Sequence, residues 1–87
     1  MASSEHYFYV LLCADDSFYA GYTTDTLRRE REHNKGIGSK YTKARRPVRM
    51  IYKEVFGSRT EATKAEAAFK KLSRKQKENR SRMPSSA

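Results

Sequence analysis

A run of seven residues, Tyr7 to Cys13 (YFYVLLC), is apolar or aromatic at every position. Successive side chains of a strand alternate between its two faces, so a run without polar interruption has no face to offer water. It reads as a central strand, and any fold open to this chain must cover it on both sides. With 87 residues the chain can build one small core and no more. The expectation is a single domain over residues 6–80, with 1–5 and 81–87 as disordered ends.

Ala14, Asp15, Asp16 and Ser17 then read as a turn, and Phe18, Tyr19 and Tyr22 as a second strand, which together make a hairpin. Loop length decides which residues share a face. An odd loop, such as three residues with one Asp in the left-handed region, puts Tyr9 and Tyr19 on the same side of the sheet. Gly21 marks a point where another backbone or a ligand can come close.

The second strand hands into a helix. Asp25 suits the N-cap, because its carboxylate can accept the unpaired N–H groups of the first turn, and Gly36 is placed to end the helix near Lys35. From Thr26 to Asn34 only Leu27 is apolar, whereas Arg28, Arg29, Arg31 and His33 are basic or titratable to a cation. So narrow an apolar stripe is not built mainly for packing. Arg29 and His33, at i and i+4, share one face. The plain alternative is a solvated helix held by pairs such as Glu30 with Asn34 and Arg28 with Glu32.

The formal net charge of +9, from 19 Lys and Arg against 10 Asp and Glu, exceeds what solubility asks for and points to a polyanion. Nine of the cations lie between Arg28 and Arg49 and seven more between Lys70 and Arg82. One cysteine, Cys13, forbids an internal disulfide, and with His6 and His33 it cannot assemble a structural zinc site. No stretch reads as a secretion signal or a membrane span, so the expected location is the cytoplasm.

Residues 36–47 read as a polar loop. Its Lys40, Tyr41, Thr42, Lys43, Arg45 and Arg46 are the inventory of a surface that grips phosphates and stacks on a base. Pro47 opens a third strand, Val48 to Phe56, with Met50, Ile51, Tyr52, Val55 and Phe56 as core material. Ser58 and Glu61 form a capping box for the next helix, where Ala62, Ala65, Phe69 and Leu72 recur as a buried stripe. Glu66 interrupts that stripe near its edge, where a carboxylate needs an arginine or a cation. Ser73 and Gln76 start a last short helix to about Arg80, with no apolar residue to dock it.

Tyr7-Phe8-Tyr9 and Tyr19-Ala20-Gly21, with Arg29 ten residues after Tyr19, resemble the two signature triplets and first helix of the GIY-YIG nuclease superfamily. HNKGIGSKYT, RRPV and EAAFKKLSR resemble its small single-domain bacterial members of the UPF0213 type. The similarity covers residues 7–76. Phe8, Ala20 and Tyr7 depart from the usual triplet residues, and no separate domain for selecting DNA is present in this sequence.

The resemblance implies an α+β fold, with a three-stranded antiparallel sheet flanked by helices in the order β-β-α-β-α and a short extra helix at the C-terminal end. It further implies a phosphodiesterase site. Tyr9 and Tyr19 approach the scissile phosphate, one as base or water-orienting group. Arg29 contacts the phosphate, His33 assists proton transfer, and Glu66 binds one Mg2+ or Mn2+. Arg28, Lys35, Lys40, Tyr41, Lys43, Arg45 and Arg46 are then the expected nucleic-acid contacts. DNA is the expected partner ahead of RNA, specificity comes from a protein partner, from DNA structure or not at all, and a membrane is not expected. The competing expectation is a binding module with this fold and little turnover, or a subunit idle until a partner docks. A place in DNA repair or recombination follows only by analogy with the family.

Overall fold

The protein is described by a computed structural model over residues 5–82. Its sheet has three antiparallel strands, β1 (His6–Leu12), β2 (Phe18–Thr23) and β3 (Arg49–Phe56). The spatial order β2-β1-β3 places the apolar run in the centre, as its composition demands. Four helices complete the domain: α1 (Thr26–Asn34), α2 (Lys40–Lys43), α3 (Arg59–Lys70) and α4 (Arg74–Arg82).

The hairpin register pairs Tyr9 with Gly21 and Leu11 with Tyr19, so the odd loop does bring Tyr9 and Tyr19 to one face. Cys13 N–H donates to Ser17 O across the turn, and Asp16 takes the left-handed conformation (φ 68°). A single-residue step thus sorts the side chains of β1. Phe8 and Val10 join Ala20, Tyr52 and Phe69 under α3, whereas Tyr9, Leu11 and Cys13 join Val48 on the opposite face. The aromatic contact of Phe8 with Phe69 (5.5 Å between ring centres) anchors the α3 side.

α1 begins at Asp25, whose carboxylate accepts the Arg28 N–H at 3.1 Å, and it ends before Gly36 (φ 86°). Leu27 faces outward at 69% exposure, so the helix docks by other means. The expected Glu30–Asn34 pair does not form. Glu30 instead accepts Met50 N–H (2.8 Å), while Asn34 accepts Val48 N–H (2.8 Å) and donates to Val48 O (2.9 Å). Two polar side chains one helical turn apart meet backbone groups two residues apart on the border strand. They give that strand the partner its neighbour would otherwise supply, and they shield part of a sheet edge.

Three sequence expectations need correction. The segment 36–47 is not wholly loop, because Ser39 caps the one-turn helix α2 by accepting Thr42 N–H. Ser81 and Arg82 belong to α4, so the domain runs past residue 80; residues 1–4 and 83–87 lie outside the described part. The last helix docks despite having no apolar residue from Arg74 to Arg80. Arg80 lies over the Tyr52 ring (4.8 Å) and pairs with Glu54 (2.7 Å), while Arg74 lies over Phe18 (4.4 Å). Guanidinium faces do the work that leucines do elsewhere. Of the expected core residues in β3, only Tyr52 is fully buried; Met50, Ile51, Val55 and Phe56 are half-buried.

Candidate active site

Tyr9 is 1% exposed and its ring crosses the backbone of its partner Gly21. A Cβ at Gly21 would stand 2.4 Å from the Tyr9 hydroxyl oxygen. The group that the small residue admits is therefore a side chain of this chain. The hydroxyl reaches His33 Nε2 at 2.8 Å and receives a longer bond from Arg29 Nε at 3.4 Å. Arginine has donors and no acceptor, so Tyr9 O accepts from Arg29.

His33 is fully buried between the two signature tyrosines, 5.9 Å from the Tyr9 ring and 5.2 Å from Tyr19. Its other ring nitrogen, Nδ1, lies 2.7 Å from Thr42 Oγ1 on α2. The imidazole also depends on Gly38, where a Cβ would stand 2.4 Å from Nδ1. Thr42, expected on a phosphate-gripping surface, is instead buried completely against the imidazole, and nothing in the sequence marks Gly38 as part of the site.

Burial sets the protonation states. It pushes the Tyr9 phenol up to about 12, against the opposing pull of the Arg29 guanidinium. It pushes His33 down to about 4, aided by the Arg29 charge. At neutral pH both groups are uncharged and the cation beside them is Arg29.

Arg29 uses all three of its nitrogens: beside the Nε bond to Tyr9, Nη1 donates to Glu32 Oε1 (2.9 Å) and Nη2 to Gly38 O (3.1 Å). Glu66 stands on α3, close enough that its charge opposes ionisation of Tyr9. Its carboxylate pairs with Lys70 at 2.9 Å, a lysine where an arginine was one expectation. Among the described residues no three His, Cys, Asp or Glu side chains gather, so a cation that needs a full protein cage has none. A hard cation that keeps its own waters and takes phosphate oxygens fits a single carboxylate such as Glu66.

The five expected site residues thus fall in two sets. Arg29 and His33 both bond to Tyr9, Tyr19 packs on the His33 ring, and Glu66 reaches Tyr9 through its field. The expected nucleic-acid contacts divide as well. Lys35, Lys40, Lys43 and Arg28 are exposed, Arg28 with Glu32 at 3.6 Å. Tyr41 is stacked on Tyr19 (5.8 Å between ring centres), and the Arg45 guanidinium lies 3.8 Å from the Tyr41 ring centre, so the ring already has two partners of this chain. Arg45 is further held by Asp15 (3.0 Å), and Arg46 donates to Lys43 O (2.9 Å).

Residues 5–79 match the family described as the GIY-YIG catalytic domain. A UPF0213 protein of Listeria monocytogenes is 70% identical over 76 residues, covering 87% of this chain and 84% of its own. The UPF0213 protein YazA of Bacillus subtilis is 54% identical, over 90% of this chain and 79% of its own. Among solved structures, a protein of Enterococcus faecalis is 64% identical with a TM-score of 0.59, over 87% of this chain and 81% of that one. The UPF0213 protein of Bacillus halodurans is 47% identical with a TM-score of 0.56, over 86% and 80%. No helix among the described residues is long and apolar enough to cross a membrane.

Proposed function

As the chain belongs to the GIY-YIG catalytic-domain family, we propose that it is an endonuclease dependent on Mg2+ or Mn2+, hydrolysing phosphodiester bonds of structured or branched DNA in the cytoplasm. The observation that carries this reading is the bonded series Arg29, Tyr9 and His33, with the carboxylate of Glu66 beside it. In the reaction a water oxygen bonds to phosphorus and the P–O3′ bond breaks, leaving 5′-phosphate and 3′-hydroxyl ends. Arg29 is placed to neutralise charge developing on phosphate oxygens. Glu66 is the residue that would hold the cation, which when bound polarises a phosphoryl oxygen.

The two protonation states decide how the base works. With the phenol pushed up to about 12 and the imidazole down to about 4, the resting state is the neutral pair. Tyr9 is therefore not ionised in waiting. It passes its own proton to His33 Nε2 as it receives one from the attacking water, and Arg29 stabilises the oxygen in between.

The pairs Arg29–Glu32 and Glu66–Lys70 favour a second reading, a binding module or a subunit opened by a partner, since a phosphate must displace Glu32 to reach Arg29. Cleavage of labelled branched and linear DNAs and RNAs with Mg2+, Mn2+ or EDTA, wild type beside Glu66→Ala, separates the two. The nuclease reading expects cleavage that both EDTA and Glu66→Ala abolish. Salt-sensitive binding in the wild type and in Glu66→Ala, with no cleavage on any substrate, favours the module.

A further inference from the structure

The hydrogen-bond series at His33 does not end at the imidazole. Thr42 Oγ1, buried completely, lies 2.7 Å from Nδ1, 2.9 Å from Ser39 Oγ and 3.4 Å from Ser39 O. Ser39 is itself fixed as the cap of α2, its Oγ accepting Thr42 N–H at 3.1 Å. The Thr42 hydroxyl proton thus has two acceptors on Ser39, which leaves its oxygen lone pairs for the ring.

Only one assignment of protons satisfies the whole series. Arg29 donates to Tyr9 O, so the phenol proton needs an acceptor, and the one in reach is His33 Nε2. With Nε2 bare, the ring proton sits on Nδ1 and donates to Thr42 Oγ1, which donates onward to Ser39. The opposite tautomer gives Tyr9 O two donors and leaves the buried phenol proton without a partner, an arrangement that native interiors avoid. Among the described residues no buried side-chain nitrogen or oxygen lacks a partner.

We propose that Thr42 is a positioning residue for this site: its Oγ1 accepts Nδ1–H of His33 and so keeps the Nε2 lone pair turned to the Tyr9 hydroxyl. Thr42 touches neither tyrosine in this series and acts through the imidazole alone. The other tautomer presents N–H to Tyr9, where it cannot take a proton. This inference rests on the nuclease reading only for its kinetic consequence; the tautomer is a property of the resting chain. The four-residue helix α2, which otherwise looks like a short connection, exists in this account to hold one hydroxyl against one ring nitrogen.

The test records two-bond ¹H–¹⁵N correlations of the His33 imidazole in the full chain at neutral pH, with His33→Gln to identify its signals against those of His6. The expected result is a protonated Nδ1 and a bare Nε2 in the wild type. Thr42→Val, which keeps the shape and removes the acceptor, shifts the population toward protonated Nε2 and slows cleavage on the order of 10- to 100-fold. Thr42→Ser retains the wild-type tautomer and rate. A wild-type ring protonated at Nε2 overturns the proposal, and so does a folded Thr42→Val with an unchanged tautomer. Where Thr42→Val fails to fold, Thr42→Ala replaces it in the same measurement, and a wild-type ring protonated at Nε2 overturns the proposal even where no substrate is cut.

Discussion

The two faces of the sheet are alternate residues of the same seven-residue strand, yet they are built on different physics. Under α3, Phe8, Val10, Ala20, Tyr52 and Phe69 pack by apolar contact. On the opposite face an apolar group of Leu11, Cys13 and Val48 adjoins Tyr9, His33 and Thr42, which are almost fully buried and joined by hydrogen bonds. Apolar packing tolerates small displacements. A buried polar series does not, because each bond lost strands a donor or acceptor away from water. One face therefore serves packing, and the other also holds reactive groups in one geometry.

That contrast can be broken from either side. The largest effect on stability is expected from Phe69→Ala, which removes the ring packed on Phe8 and Phe18. It should cost roughly 3–5 kcal/mol, a large part of the 5–15 kcal/mol typical of a small domain. Denaturant titration of the variant checks it, and a cost under ~1 kcal/mol would mean that α3 does not carry the core.

The opposite face should respond to pH. His33, near 4 in the folded protein and about 6.5 when unfolded, is neutral in both states above pH 6.5. As pH falls the unfolded state takes up the proton first. Stability is therefore lost between about pH 6.5 and 4, on the order of 3 kcal/mol in all. Replacing His33 by Gln should flatten the slope between pH 7 and 5, measured as denaturation midpoints. An unchanged slope would place the imidazole in water.

A smaller effect is expected where α4 docks. Arg80→Ala removes the stack on Tyr52 and the pair with Glu54. It should cost about 1 kcal/mol and leave cleavage within about twofold, which paired melting and cleavage assays would show. A large loss of cleavage would tie α4 to the site.

What was legible in the sequence follows the same division. The hairpin, the Asp25 and Ser58 caps and the stop at Gly36 depend on neighbours a few residues apart, and all are present; of the expected buried stripe, Ala62 and Phe69 are buried while Ala65 and Leu72 are half-buried, Leu72 beyond the end of α3. The shared face of Tyr9 and Tyr19 followed from loop parity alone. The docking of α1 through Glu30 and Asn34 onto β3 was not legible, since partners 14 and 20 residues away leave no period. Arg74 and Arg80 gave no docking signal for the same reason: a guanidinium over a ring looks like any other arginine until the ring is in place. At the site, helical spacing put Arg29 and His33 on one face and the family resemblance gave them their expected roles, while Thr42 and Gly38 act through close approach, which no spacing encodes.

Tyr9→Phe tests the account most directly, because it removes one oxygen and leaves the ring over Gly21. Single-turnover cleavage and denaturant stability would be measured on the same preparation. The account predicts a folded protein weakened by about 1–3 kcal/mol, for the stranded Nε2 and Arg29 donor, with cleavage reduced at least ~100-fold. Wild-type cleavage by a folded Tyr9→Phe protein would contradict it, and would leave the buried Tyr9–His33 pair as structure alone.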